Sequence, residues 1–171
     1  EGEIVPFMGS GLAFADYDGD GWMDLFLANA SSQGAQGALF HNQQDGTFRE
    51  ITDMAGIRHS GKTMAALWGD FNNDTKVDLY LINYGSNILY QNNRDGTFSN
   101  VTFESGVGDP SWGMGGVAVD FDHDGDLDIL VSNFVNPDSL PPNQTLFPEG
   151  FSGAENKLYR NNGDGTFLDV S

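Results

Sequence analysis

Acidic side chains recur at short, regular intervals in three nine-residue segments, which read DYDGDGWMD (16–24), DFNNDTKVD (70–78) and DFDHDGDLD (120–128). Side chains that carry oxygen occupy positions 1, 3, 5 and 9 of each segment: Asp16, Asp18, Asp20 and Asp24; Asp70, Asn72, Asp74 and Asp78; Asp120, Asp122, Asp124 and Asp128. Oxygens at positions 1, 3 and 5 of a tight loop converge on one point. Carboxylates held so closely repel each other unless a cation lies between them.

The predicted cation is Ca²⁺, because an all-oxygen and flexible ligand set suits Ca²⁺ at about 2.3–2.6 Å better than Mg²⁺ with its retained waters. A backbone carbonyl at position 7 would complete each shell, from Trp22, Lys76 or Asp126. Solvated acidic turns are the alternative, and threefold recurrence argues against it. The sequence therefore predicts up to three Ca²⁺ ions.

The second loop departs most from the pattern. Asn72 replaces a carboxylate, Thr75 stands where the other loops have glycine, and Lys76 adds a positive charge. We expect this loop to bind Ca²⁺ last and to release it first.

The acidic loops belong to a longer repeat of about 50 residues. Each repeat has an apolar run, the loop, a second apolar run such as DLFLAN, a spacer, and a segment such as LFHNQQDGTFREIT. The apolar runs are short and rich in β-formers, and Asp-Gly at 45–46, 95–96 and 164–165 favours hairpin turns with positive φ. Four antiparallel strands per repeat are typical of a β-propeller blade.

We therefore predict an all-β fold with almost no helix: one propeller segment over 1–171, with three four-stranded antiparallel blades at approximately 10–53, 63–103 and 113–171. The acidic loops and the Asp-Gly turns should share one end of the blades. The third spacer (134–156) holds four of the six prolines and should form an irregular, partly ordered excursion at the opposite end.

Three blades do not close a ring, because propellers typically have four to eight. The sequence predicts two open edges, each a row of unpaired backbone groups. Two explanations stay open: the chain is a piece of a longer propeller, or copies associate head to tail into a closed ring or an open filament.

Composition limits the class of partner. The net charge is −18, with 25 acidic and 7 basic residues, which argues strongly against nucleic acid and anionic lipid as partners. No apolar run is long enough for membrane insertion. The chain has no cysteine, so it contains neither disulfides nor thiolate metal sites.

The pattern GLAFADYDGDGWMDLFLAN followed by LFHNQQDGTFREITDMAGI resembles the FG-GAP/VCBS repeat. It is most similar to the ASPIC/UnbV and cartilage-acidic-protein-like propellers, and more distantly to integrin α-subunit propellers. The resemblance implies extracellular or cell-surface calcium-binding blades, usually seven per propeller, that serve adhesion or protein recognition. It also implies the aspartates at positions 1, 3, 5 and 9 as calcium ligands. The number of blades departs from the family.

Catalytic chemistry is not indicated. His41, His59 and His123 have no nucleophile at a suitable spacing, and we expect them to be structural or exposed. A glycosidase carboxylate pair is improbable because nearly half of the acidic residues are assigned as metal ligands. The repeated aromatics are predicted to form the core between blades: Phe40, Tyr90 and Tyr159, and Phe48, Phe98 and Phe167.

The leading functional hypothesis is a non-enzymatic, extracellular calcium-binding scaffold for adhesion or protein interaction, with a protein or glycan ligand. The alternatives are a structural subunit of a head-to-tail extracellular filament and a carbohydrate-binding module. Four glycosylation sequons begin at Asn29, Asn73, Asn100 and Asn143, and the last is the most accessible by sequence.

Overall fold

The computed structural model describes residues 11–30, 36–59, 61–135 and 153–171. The strands and the helix, in chain order, are β1 (Leu12–Ala15), β2 (Asp24–Leu27), β3 (Ala38–Asn42), β4 (Phe48–Glu50), β5 (Lys62–Gly69), β6 (Asp78–Asn92), β7 (Phe98–Asn100), α1 (Thr102–Ser105), β8 (Gly113–Val119), β9 (Asp128–Asn133), β10 (Lys157–Asn161) and β11 (Phe167–Asp169). The fold is all-β, as predicted. Among the described residues, no helix is long and apolar enough to cross a membrane.

Blade 1 comprises β1 to β4 and blade 3 comprises β8 to β11, each as an antiparallel sheet in chain order. Ala15 pairs with Asp24 in blade 1, and Val119 pairs with Asp128 in blade 3. The pairing closes a hairpin around each acidic loop. Position 9 is therefore the first residue of the second strand in both blades.

Blade 2 comprises β5 to β7, and β6 contains two of its strands. A straight strand of 15 residues would separate its ends by about 46 Å at 3.3 Å per residue. Instead, the Asn92 N–H donates to Asp78 Oδ1 at 2.8 Å, and Gly85 adopts a φ of 95° between them. β6 is thus a hairpin, and blade 2 has the four predicted strands.

The Asp-Gly turns are five-residue connections. In blade 1, Asn42 pairs with Phe48, and the Gln43 N–H donates to the Thr47 carbonyl at 2.9 Å. Gly46 has a φ of 88°, as expected for a turn glycine. Gln44 also has a positive φ, of 63°, which the Asp-Gly dipeptide alone did not indicate.

Blades pack face to face, and blade 2 buries both of its faces. Because side chains alternate along a strand, Leu79 and Leu81 pack toward blade 1, whereas Tyr80 and Ile82 pack toward blade 3. All four are fully buried. Burial of each leucine stabilises the fold by roughly 1.5–3 kcal/mol.

The predicted aromatic core is present in the interfaces between consecutive blades. Tyr90 and Phe98 lie in the core between blades 1 and 2, and Tyr159 and Phe167 lie in the core between blades 2 and 3. The prediction is wrong for Phe48, which is 44% exposed, and for Phe40, which is partly buried and belongs to no core cluster of the described residues. Phe48 lies on the face of blade 1 that points away from blade 2, outside the core that these two blades share.

The outer surfaces of the segment also correct the prediction of open backbone edges. Each blade is a separate sheet with its own edge strands, so the two ends of the segment leave sheet faces of side chains uncovered and add no further backbone edges. We call them the leading face of blade 1 (Leu12, Phe14, Leu27 and Phe48) and the trailing face of blade 3 (Val117, Val119, Phe121 and Leu130).

Most of the third spacer, at 136–152, lies outside the described residues, as does the sequon at Asn143. At its two ends, Val135 and Gly153 form an antiparallel bridge.

Candidate metal centres

The acidic loops and the Asp-Gly turns lie at the same end of the blades, as predicted. In blade 1, Gln44 Nε2 donates to Asp20 Oδ2 at 2.8 Å. In blade 2, Arg94 Nη2 donates to the Asp74 carbonyl at 2.8 Å. The turn of each of these blades therefore supports its own acidic loop.

The position 1 aspartate shapes its loop through hydrogen bonds from the backbone. Asp16 Oδ1 accepts from the Gly19 and Asp20 N–H groups at 2.7 and 3.0 Å, and Oδ2 accepts from Gly21 at 2.9 Å. Gly19 and Gly21 have positive φ values that favour glycine. The loop thus curls around the carboxylate of its first residue.

The second loop keeps this shape without glycine. Asp70 accepts from the Asp74 N–H at 2.9 Å and from the Thr75 N–H at 2.8 Å. Asn73 and Thr75 adopt φ values of 58° and 74°, and the latter is unfavourable for a β-branched residue. The second loop therefore stores backbone strain that the glycines of the first loop avoid.

The position 9 aspartates Asp24, Asp78 and Asp128 are buried anchors of the blade. One oxygen of each accepts a backbone N–H from position 2 of its loop, at 3.0–3.3 Å. The other oxygen accepts a backbone N–H from the asparagine that ends the third strand, at 2.8 Å in all three blades. Sequence reasoning assigned these residues only as ligands and missed this role.

Burial makes the negative charge at position 9 costly. It raises the pKa of Asp24, and it raises the pKa of Asp78 to about 7 even though the Asn92 and Phe71 N–H groups act in the opposite direction. The carboxylates of Asp74 and Asp70 raise the pKa of Asp78 further. A cation at this site would favour the ionised form.

Three of the predicted positions converge in the first and third loops. Asp16, Asp18 and Asp24 each offer one oxygen, and these atoms lie within 4.8 Å of one another. Asp120, Asp122 and Asp128 form the equivalent group. Two oxygens on opposite sides of a Ca²⁺ shell are about 4.6–5.2 Å apart, so both groups fit this ion.

The third loop also contains an oxygen that lacks a donor. Asp120 Oδ2 accepts from the Gly125 N–H at 3.2 Å, whereas Asp120 Oδ1 is buried and has no hydrogen-bond partner among the described residues. A buried oxygen without a partner is costly, by about 1–3 kcal/mol or more when it is charged. A bound cation would supply the missing partner.

Position 5 lies outside these two groups, but in the first loop Asp20 forms another group with Asp18 and His41, whose ligand atoms also lie within 4.8 Å of one another. The Trp22 N–H donates to Asp20 Oδ1 at 2.8 Å and lowers the pKa of Asp20, and Gln44 holds the other oxygen. Asp124 Oδ1 accepts from the Asp126 N–H at 3.0 Å. The aspartates at position 5 are therefore drawn toward the backbone, and their role as ligands stays a prediction.

At position 7, the side chains of blades 2 and 3 reach the preceding blade. Lys76 Nζ donates to the Asp18 carbonyl at 3.1 Å, and the Asp126 carboxylate accepts from Asn73 Nδ2. Trp22, in blade 1, is 48% exposed. The position 7 carbonyls as ligands likewise stay a prediction.

The second loop does not bring three carboxylates together in the way the other two do. Asn72 takes the place of one of them, and Arg94 Nε lies 3.3 Å from Asp74 Oδ2. The guanidinium thus neutralises part of the charge that would attract a metal ion. The rank of this loop as the weakest calcium site stays a prediction.

His41 lies beside the first loop, which sequence reasoning did not predict. Its Nδ1 is 3.2 Å from Asp24 Oδ1 and 3.4 Å from Asp18 Oδ2. The antiparallel pairing of β2 with β3 brings the end of β3 next to position 9. The available signal was that Gln91 and Arg160, at the same place in the other repeats, are also polar. His59 is buried and His123 is exposed.

Repeated four-stranded blades with acidic loops at one end define a propeller-type repeat protein. The sequence model of the FG-GAP-like repeat matches residues 16–81 and 70–131, so the chain belongs to the FG-GAP-like repeat family. The match is to the repeat itself. The finer resemblance to ASPIC/UnbV, cartilage-acidic-protein-like and integrin propellers stays a prediction.

Among solved structures, the chain is similar to an Agrocybe aegerita lectin described as recognising non-reducing terminal N-acetylglucosamine. The two are 18% identical with a TM-score of 0.48, and the similarity covers 92% of this chain and 36% of the lectin chain. No curated protein matches the sequence.

Proposed function

We propose that the chain is a calcium-stabilised, non-enzymatic propeller segment that acts outside the cell as a scaffold for adhesion or protein interaction. The observation that carries the proposal is Asp120 Oδ1, buried and without a partner inside a group of three converging carboxylates. A rigid blade end that requires a cation is suited to presenting a binding surface to a protein or glycan ligand.

Calcium would be held chiefly by the carboxylates of the first and third loops, and it would neutralise charge that otherwise opposes folding. The second loop, which contains Asn72 and the contact with Arg94, would bind calcium last. Because the ligands sit on short loops rather than in a preformed cage, we expect affinities of the kind found in extracellular modules, with Kd about 10⁻⁴–10⁻³ M. Sites of this affinity would be filled outside the cell, which is the location that the proposal assigns to the chain.

The absence of enzymatic activity is part of the proposal. Backbone hydrogen bonds and the predicted metal ions account for the carboxylates of the loops. His59 donates to or accepts from Thr63, with 2.8 Å between its Nε2 and Oγ1, in a buried position away from the loops. His41 lies beside Asp18 and Asp24, and His123 is exposed within the third loop, and the described residues provide no nucleophile for either of them to activate.

The experiment is thermal unfolding in EDTA and in increasing CaCl₂, with MgCl₂ as the competing ion. One site at 100 times its Kd stabilises the folded state by about 2.7 kcal/mol. For a chain of this size, that corresponds to a rise in Tm of roughly 5–10 °C per site. The rise in Tm should be larger in CaCl₂ than in MgCl₂ at equal concentration.

The substitution Asp120→Asn tests whether the third loop holds one of the calcium ions. It should reduce the calcium-dependent rise in Tm by the contribution of one site, whereas Asp53→Asn, at an exposed position in the link after blade 1, should leave it unchanged. Equal Tm values in EDTA and in 10 mM CaCl₂ (a concentration about tenfold or more above the expected Kd) would contradict the proposal.

A further inference from the structure

The end of β3 places an imidazole beside the first acidic loop. His41 occupies a position where blade 2 has Gln91 and blade 3 has Arg160. A neutral imidazole nitrogen can bind a metal ion, whereas the amide nitrogen of glutamine and the guanidinium of arginine are donors only. The first loop therefore has a nitrogen ligand at a place where its two counterparts have none.

The Nδ1 atom of His41 is buried and has no hydrogen-bond partner among the described residues. Two carboxylate oxygens are nevertheless close to it, with Asp24 Oδ1 at 3.2 Å and Asp18 Oδ2 at 3.4 Å. An N–H at this nitrogen would donate to one of these oxygens if the ring plane were directed at it, so the ring does not have the orientation of a hydrogen-bonded ion pair. A buried polar atom without a partner is costly. A metal ion bound to Nδ1 would provide the missing partner.

A ring nitrogen of His41 belongs to a group of ligand atoms that differs from the calcium group. Asp18, Asp20 and His41 each offer one ligand atom, and these three atoms lie within 4.8 Å of one another. The calcium group of the same loop consists of Asp16, Asp18 and Asp24. One loop thus presents two ligand sets, which share only Asp18.

Neighbouring groups hold Asp20 and His41 in place. Gln44 Nε2 donates to Asp20 Oδ2, and the Trp22 N–H donates to Asp20 Oδ1, both at 2.8 Å. The ring of Tyr17 meets the ring of His41 edge to face, with centroids 6.2 Å apart. Carboxylate ligands of metal ions are typically hydrogen-bonded in this way. Each oxygen of Asp20 retains a second lone pair that can face an ion.

The ligand set selects the class of metal ion. Ca²⁺ and Mg²⁺ prefer oxygen ligands, whereas imidazole suits Zn²⁺ and related transition metals. Around a tetrahedral Zn²⁺ with bonds of about 2.0–2.2 Å, adjacent ligand atoms lie about 3.3–3.6 Å apart. The 3.4 Å between His41 Nδ1 and Asp18 Oδ2 falls within this range.

We propose that the first loop contains a transition-metal site, formed by His41 Nδ1 and the carboxylates of Asp18 and Asp20, which prefers Zn²⁺ to Ca²⁺. Blades 2 and 3 do not form this site, because Gln91 and Arg160 take the place of the histidine. The site does not require calcium to bind elsewhere in the chain, so it goes beyond the proposed function and can be tested separately from it.

The test is isothermal titration calorimetry of the full chain with ZnCl₂, in about 1 mM CaCl₂ (the upper end of the expected calcium Kd). It is repeated with His41→Gln, which introduces the residue that blade 2 carries at this place. Loss of the imidazole should lower the affinity for zinc by about tenfold or more, because changes even to the partners of a metal ligand have effects of this size.

A second variant removes a ligand from another part of the site. Asp20→Asn retains an oxygen that can accept the Trp22 N–H, and it should also lower the affinity for zinc. Circular dichroism verifies that each variant is folded. An unchanged zinc affinity in folded Asp20→Asn would contradict the assignment of this group as the ligand set.

His123→Gln is the matched control. His123 is an exposed histidine inside the third loop, and it belongs to none of the groups of converging ligand atoms among the described residues. Its replacement should leave the affinity for zinc unchanged. A loss of affinity in both histidine variants, or in neither, would overturn the proposal.

The calcium response distinguishes a metal ligand from a residue that only supports the loop. His41→Gln should retain the calcium-dependent rise in Tm, because His41 is not a member of the calcium group. If the variant lost its responses to calcium and zinc together, His41 would be a supporting residue and the proposal would be wrong. A zinc affinity that depends on His41, in a chain whose Tm does not respond to calcium, would uphold this site and contradict the proposed function.

Discussion

Asp24, Asp78 and Asp128 anchor the blades through hydrogen bonds, and in the proposed function they are also ligands for the ion. Each is buried as a carboxylate, which costs free energy, and each accepts two backbone N–H groups that offset part of that cost. A carboxylate oxygen has two lone pairs, so it can accept a hydrogen bond and still face a cation. The acidic loop and the blade are thus stabilised by the same side chain.

We expect Asn72 to limit the affinity of the second loop for calcium, because it takes the place of a carboxylate. We expect Asn72→Asp to lower the Tm in EDTA, because the Asn72 Nδ2 contact with Asp74 Oδ2 at 3.3 Å becomes a repulsion between carboxylates. In calcium the same variant should be more stable than the wild type, because ligand charge tunes affinity. A tenfold gain in affinity corresponds to about 1.4 kcal/mol.

Thermal unfolding measures whether the effect of Asn72→Asp on the Tm changes sign between EDTA and calcium, and calorimetric titration measures the affinity. Gln43→Glu adds the same charge at an exposed turn position and should not show it. If Asn72→Asp changed the Tm in the same direction in both buffers, the second loop would not be a calcium site.

Asn92 joins two blades through a single amide. Asn92→Ala removes the donor to the buried carbonyl of Tyr17 and to the partly buried carbonyl of Val77, and we expect the free energy of unfolding to fall by about 1–3 kcal/mol. Asn42→Ala is the internal control, because Asn42 is half-exposed and water can replace its contact. Its cost should be below about 1 kcal/mol in dilute solution. Urea unfolding of both variants provides the comparison. Equal losses in the free energy of unfolding would show that the bond between blades stabilises the fold no more than the bond within blade 1.

Among the elements, the links between blades carry polar groups that must remain neutral. His59 lies in the link between blades 1 and 2, and burial lowers its pKa from the usual value near 6.5. Because the unfolded chain binds the proton more readily, stability is retained above about pH 6.5 and is lost as the pH falls toward the lower pKa of the folded state.

We therefore expect wild-type stability to fall between pH 7.5 and 5.5 by more than that of His59→Gln (the range spans the ordinary histidine pKa of about 6.5). Urea unfolding of both proteins at the two pH values, in the same buffers, isolates this contribution from that of the carboxylates. Identical losses in the two proteins would show that His59 does not titrate on unfolding.

In the whole molecule, packing between blades stabilises the fold. Equivalent phenylalanines therefore contribute different amounts to the free energy of unfolding in different blades. Phe98 is 5% exposed and packs against Tyr17 and Trp68, with ring centroids 5.8 and 6.0 Å away. Phe98→Ala should cost about 3–5 kcal/mol. Phe48→Ala, at the same place in blade 1, should cost less than about 1 kcal/mol when measured at concentrations that keep the chain monomeric.

Chemical unfolding of these two variants tests whether position within the segment, rather than position within the repeat, governs stability. Similar costs would imply that Phe48 is covered in solution even at low concentration.

The local features that could be predicted from the sequence are those that depend on a few neighbouring residues. The strands beside each loop, the glycine conformations at Gly46 and Gly96, and the convergence of Asp16 with Asp18 follow from spacing and turn chemistry. The approach of His41 to Asp24 could not be predicted in this way, because it depends on the register between β2 and β3.

By itself, the sequence determined the blade as a unit: an alternation of short apolar runs and acidic loops that can form only short antiparallel strands. Only the tertiary structure decided what each repeated residue does, because blades bury their faces against one another. Phe48, Phe98 and Phe167 occupy equivalent places in the three repeats, yet the last two are buried and the first is not. The physical reason is that burial depends on the neighbouring blade, which the repeat does not encode.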